Sequence, residues 1–122
     1  MRVAAYQAPL LTAGMDALDL VRTQVKRCES ECITILCCPE AILGGLADNH
    51  PNPSQVAIPA NRTTLKTALS PLASETVTTI IGFTELGDGG RIYNSAAVFR
   101  RDRLKRGTTE HLRSSSHTAP RR

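Results

Sequence analysis

Glu40 is the residue of this chain best placed by its neighbours to move a proton. It follows Ile33-Thr34-Ile35-Leu36-Cys37-Cys38-Pro39 and precedes Ala41-Ile42-Leu43-Gly44-Gly45. The apolar, β-branched run has the length of a strand buried on both faces. Pro39 ends it, because proline cannot donate to a sheet ladder, and the two glycines free the backbone to turn. A carboxylate at the tip of such a strand sits where open α/β sheets place their chemistry, and there it could serve as a general base. A solvated strand end fits the same pattern and stands beside that reading. Glu85 has a weaker claim, since it ends a later strand next to a hairpin, where a solvated carboxylate is routine. Asn94 reads as a structural hydrogen-bonder, and Gln7 as an ordinary strand terminus.

Four cysteines, Cys28, Cys32, Cys37 and Cys38, fall within eleven positions. Cys28 and Cys32 have the spacing that zinc sites allow, and Cys37, Cys38, His50 and His111 could be recruited to them. A small cysteine-rich metal-binding module is therefore the alternative function. Against it, Cys37 and Cys38 alternate along a strand and face opposite sides, and both read as small buried hydrophobes. No metal and no cofactor are assigned.

At 122 residues the chain is one domain or part of one. Its formal net charge of +4 is uneven: residues 100–122 hold eight Lys and Arg against two Asp and Glu, which leaves residues 1–99 at −2. The basic tail lacks aromatics for base stacking and any recognised motif, so no specific nucleic-acid partner is expected. The opening residues carry no long apolar segment of the export type, and no run approaches the ~18 apolar residues of a membrane span. A cytoplasmic protein with reduced thiols and no membrane partner is the expectation.

These residues must be positioned by a layered α/β framework. Arg2 to Gln7 reads as a first strand, closed by Pro9, and Leu10 to Gly14 as a loop. Leu18, Val21, Val25 and Cys28 recur three and four apart, a helix from about Met15 to Ser30. Glycine would be the usual residue at its end, so Cys32 is a poor local fit. After the strand Ile33–Cys38, residues 41–60 form a long connection of the kind that tends to be functional. Leu65, Ala68, Leu69, Leu72 and Ala73 predict a second helix over Arg62–Ser74, kinked or restarted at Pro71. Thr76–Leu86 and Ile92–Phe99 read as strands joined by the turn Gly87-Asp88-Gly89-Gly90. The order is β-α-β-α-β-β, with helices covering one face of a sheet. Arg100 to Arg122 lacks periodicity and reads as a disordered tail behind a domain of residues 1–99.

Residues 1–99 resemble the nitrilase superfamily of carbon–nitrogen hydrolases. Val3-Ala4-Ala5-Tyr6-Gln7 looks like the first strand of that family, and Cys37-Cys38-Pro39-Glu40-Ala41-Ile42-Leu43-Gly44-Gly45 like its glutamate motif. Ile81-Gly82-Phe83-Thr84-Glu85 and Tyr93-Asn94-Ser95-Ala96-Ala97-Val98 look like its Gly-Phe and Tyr-Asn-Ser hairpin. The resemblance implies the N-terminal half of an αββα sandwich and a Glu-Lys-Cys mechanism acting on a small nitrile or amide. Glu40 is the triad position that carries over, as general base. Family members pair through helices, so the resemblance also implies a homo-oligomer.

The lysine motif of the family, approximately Tyr-Arg-Lys-x-His-Leu, meets Gly107-Thr108-Thr109-Glu110-His111-Leu112 here. That alignment sets Thr109 where the lysine belongs, and Lys105 lacks the motif around it. The nucleophilic cysteine of the family lies beyond residue 122. The resemblance therefore describes a truncated or frame-shifted chain, inactive on its own.

Overall fold

The computed structural model describes residues 1–9, 16–44, 52–59, 61–101 and 103–111, with only the backbone of 53, 106 and 108–111. Strand β1 (Val3–Ala5) leads to helix α1 (Ala17–Ser30) and strand β2 (Ile35–Cys37). A one-turn helix α2 (Pro53–Val56) and a two-residue strand β3 (Ile58–Pro59) precede helix α3 (Arg62–Leu69). A 3-10 turn at Ser70–Leu72 is followed by the long strands β4 (Thr78–Leu86), β5 (Ile92–Arg100) and β6 (Arg103–His111). All six strands join one sheet in the order β1-β2-β4-β5-β6, with β3 alongside the far end of β4. β1, β2 and β4 run parallel, whereas β4, β5 and β6 form an antiparallel meander.

Local chemistry explains where the helices begin and end. Asp16 caps α1, its side chain accepting from the backbone of Leu18 and Asp19. At the other end Ile33 N–H donates to Cys28 C=O at 2.9 Å and Cys32 N–H to Glu29 C=O at 3.4 Å. That pair of bonds is a Schellman closure. It requires a left-handed residue, and Cys32 supplies it at φ +55°. Asn61 caps α3 through the Thr64 N–H at 3.1 Å. The second helix stops earlier than its periodicity predicts: Leu69 ends the α-helical part, and Pro71 continues it as a tighter turn.

Strand alternation sorts the sheet into two unlike faces. Leu36, Ile81, Phe83, Ala97, Phe99 and Leu104 are buried against Val21, Val25 and Cys28 of α1 and Leu65 and Leu69 of α3. The opposite face carries the alternate residues. One row of it runs across five strands, Ala5–Cys37–Ile80–Val98–Lys105, in cross-strand register. Among the described residues α1 and α3 pack on the first of these faces, and on the second Val3 and Val98 remain 56% and 39% exposed. The result is part of a layered sandwich.

Two expectations are corrected. Residues 103–111 are not a disordered tail but strand β6, paired with Tyr93–Arg100 of β5. Arg101 turns the chain at φ +56°, its N–H bonded to Ser74 C=O and its side chain paired with Glu75 at 2.8 Å. Leu104, 3% exposed, anchors the strand to the core. Residues 112–122 lie outside the described residues. Glu85, expected to be solvated, is instead 3% exposed on the helix-covered face, where the Ser95 hydroxyl donates to it at 3.0 Å.

Candidate active site

The path of the chain after β2 places Glu40. Cys38 N–H makes the last regular bond, to Ile80 C=O at 2.8 Å. Pro39 has no N–H to continue the ladder. The chain rejoins β4 at Leu43, whose N–H donates to Gly82 C=O at 3.2 Å and whose C=O accepts from Thr84 N–H at 3.1 Å. Residues 39–42 are thus an arch thrown over β4, and Ala41 closes it in the left-handed region at φ +48°. Strain of this kind in a residue with a side chain costs of order 1–3 kcal/mol and tends to mark functional sites.

The arch lies directly on Gly82. A Cβ at that position would stand 2.6 Å from Ala41 N, and 2.8 Å from both Glu40 Cα and Pro39 O. Only glycine lets the Glu40 backbone approach β4 this closely. Glu40 comes to rest on the face of the sheet away from the helices. Its side chain is exposed, and its Oε1 accepts a hydrogen bond from the amide Nδ2 of Asn94. Asn94 stands opposite Thr84 in the β4–β5 ladder. Two strands and the arch therefore converge on one carboxylate, which is held by a neutral donor. The amide donor fixes the direction in which the carboxylate faces.

The other candidates are dispersed. The position where the resemblance expects a lysine is occupied by Thr109, and the register shifts there, with Asn94 opposite Glu110 and Ser95 opposite Thr108. Thr109 is the extra residue of a bulge at the level of Glu40. Lys105 stands opposite Val98, four residues along β5 from Asn94, or about 13 Å at the rise of a strand. Cys37 and Cys38 are half-buried. Burial first, then the neighbouring Cys37 and Cys28, push the Cys38 thiol up to about 12. Burial likewise raises that of Cys28. A thiol held protonated in this way is a poor nucleophile. Among the described residues no three His, Cys, Asp or Glu are grouped to hold a metal ion. His50 and the side chain of His111 lie outside the described residues. A cavity of about 400 Å³ between α1 and β1, lined by Tyr6, Gln24 and Arg27 among others, is on the helix side of the sheet, away from Glu40.

Asn94 and Gly82 are the site residues that sequence reasoning underrated. Both were visible as members of the hairpin motifs, but their common purpose shows only when the arch is seen to cross β4. No helix among the described residues is long and apolar enough to cross a membrane.

The layer of helices and the mixed sheet fit a partial α/β sandwich of the nitrilase-like fold. Among solved structures, that of a glutamine-dependent NAD+ synthetase from Acinetobacter baumannii in complex with ADP is similar over 79% of this chain, with 17% sequence identity and a TM-score of 0.53. A glutamine-dependent NAD(+) synthetase from Cytophaga hutchinsonii is similar over 79% of this chain, with 15% identity and a TM-score of 0.57. The chain spans 18% and 16% of the length of these two proteins. No family model and no curated protein matches the sequence.

Proposed function

We propose that this chain carries the general-base portion of a carbon–nitrogen hydrolase site, with Glu40 as the base and Asn94 as the group that orients it. The observation that carries the reading is the arch over Gly82, which brings Glu40 to Asn94 on the face away from the helices. In the mechanism implied by the resemblance, the carboxylate takes a proton from a cysteine thiol. The thiolate attacks the carbon of an amide or nitrile, and a lysine stabilises the charge that develops. The similar structures are by name glutamine-dependent. Glutamine carries a primary amide, which favours an amide over a nitrile as the substrate class. Thr109 cannot act as the cation, and Cys38 and Cys28 are poor nucleophiles, so this chain alone turns over neither substrate.

Two measurements test the reading. Purified chain, and its Glu40→Gln variant, should release no ammonia from a panel of small amides and nitriles. Residues 1–99 exchanged for the corresponding segment of an active carbon–nitrogen hydrolase should support turnover. Glu40→Gln in that chimera should cost about 10²–10⁴-fold in kcat, the range for a general base. A folded chimera indifferent to Glu40→Gln would remove the assignment of Glu40. Glu40-dependent turnover by the chain alone would overturn the claim that it is incomplete.

A further inference from the structure

Glu85 is a buried carboxylate that the chemistry assigned to Glu40 leaves unused. It is 3% exposed on the helix-covered face of β4, and the Ser95 hydroxyl, 2% exposed, donates to its Oε2 at 3.0 Å. Ser95 stands opposite Phe83, which makes Glu85 its diagonal neighbour, two residues further along β4. Diagonal neighbours on one face of an antiparallel pair come within reach of a long side chain. A carboxylate is costly to bury, and an apolar side chain of its size would fill the same space without that cost. The worth of Glu85 lies in the contact it makes. The residue before Ser95 is Asn94, which donates to Glu40 from the opposite face of the sheet. Between these two residues the pairing of β5 with β6 slips, with Asn94 opposite Glu110 and Ser95 opposite Thr108. A bulge disrupts the ladder locally, so β5 is held less well on its β6 side at the very residue that orients the base. On the other side β4 pairs with Asn94 through Thr84 and with Ser95 through Phe83. The bond from Ser95 to Glu85 adds a buried side-chain tie across the same two strands.

We propose that Glu85 and Ser95 are positioning residues for Glu40, a clamp that ties β5 to β4 beside the bulge and so fixes where Asn94 presents its amide. The proposal rests on the reading of Glu40 as a general base. Neither Glu85 nor Ser95 meets the substrate, because both lie on the other face of the sheet and act through Asn94. Without the clamp, β5 moves at its bulge and the Asn94 amide leaves Glu40 Oε1.

The NMR signals of the Asn94 side-chain amide in the purified chain test this. Glu40→Ala removes the acceptor and marks where those signals move when the contact is lost. Ser95→Ala and Glu85→Met should each shift them along the line from the parent towards Glu40→Ala. Glu85→Gln keeps an acceptor oxygen for the Ser95 hydroxyl and should hold the parent position, a rescue that a merely structural role for the charge would not give. If Glu85→Met fails to fold, Ser95→Ala, which removes only a hydroxyl, decides the matter. Signals that stay at the parent position in folded Ser95→Ala would overturn the proposal. So would signals that Glu85→Gln moves as far as Glu85→Met does, or that Glu40→Ala leaves in place. Loss of turnover on Glu40→Gln in the chimera judges the general-base reading by itself, so the clamp and that reading can fail separately.

Discussion

At the scale of single residues, the backbone of Gly82 matters as much as the carboxylate of Glu40. Gly82→Ala would drive a methyl group into Ala41 N, a backbone atom 2.6 Å away that no side-chain rotation can relieve. We expect a loss of about 1–3 kcal/mol in urea unfolding, together with a changed NMR signal for the Asn94 side-chain amide. Loss of stability with the amide signal unmoved would show that the arch is not what Gly82 accommodates. The cysteines make a second case. Exposed Cys32 should be alkylated well before buried Cys28 or half-buried Cys38, an order that mass spectrometry reads directly. For Cys38 the folded state holds its proton up to about 12 against the ordinary 9.0. Its contribution to stability is therefore complete below about pH 9 and is lost as pH rises from there to 12, because only the unfolded chain ionises in that window. Cys38→Ala should lose less stability than the parent across the same range.

At the scale of elements, the comparison of α1 with β6 shows what the sequence discloses. Val21, Val25 and Cys28 announce α1 by their spacing, and Asp16 marks its start. Even the misfit at Cys32 was readable, because the closure of the helix demands a left-handed residue. Cys32→Gly should accordingly raise stability by about 0.5–1 kcal/mol in thermal or urea unfolding. β6 was illegible for a physical reason. Its single large apolar residue, Leu104, is flanked by cations, as suits the outer strand of a sheet, and its order comes from β5, not from its own pattern. Leu104→Ala should cost about 2–4 kcal/mol and speed hydrogen exchange through 103–111. Unchanged protection there would mean that the ladder alone holds the strand. Glu40 was legible because proline and glycine punctuate its motif. The burial of Glu85 was not, although its place in the alternation Thr79, Ile81, Phe83 points it inward with them.

At the scale of the whole molecule, stability is graded from the centre of the sheet outward. β4 and β5 share eight register pairs, whereas β1 and β2 share three. Phe83 and Ile81 are fully buried between them and the helices. Amide exchange should therefore be slowest in β4 and β5 and fastest in β1. A uniform rate across the sheet would contradict the gradient. The carboxylate site belongs to the protected centre, since Asn94 and Gly82 are both on these two strands. Its geometry should persist under conditions that already loosen β1.

One side of β4 is bordered in succession by β2, the arch, the Leu43 bridge and β3. Four stretches of the chain are thus gauged against a single ruler. Removing one residue from 39–42 would throw Leu43 out of step with Phe83 and carry the error on to Ile58 and Pro59. The alignments with β4 end at Leu43 and resume at Ile58, so a change of length between those two points disturbs neither. Related chains of unequal length should therefore differ in that interval and keep the four residues of the arch intact.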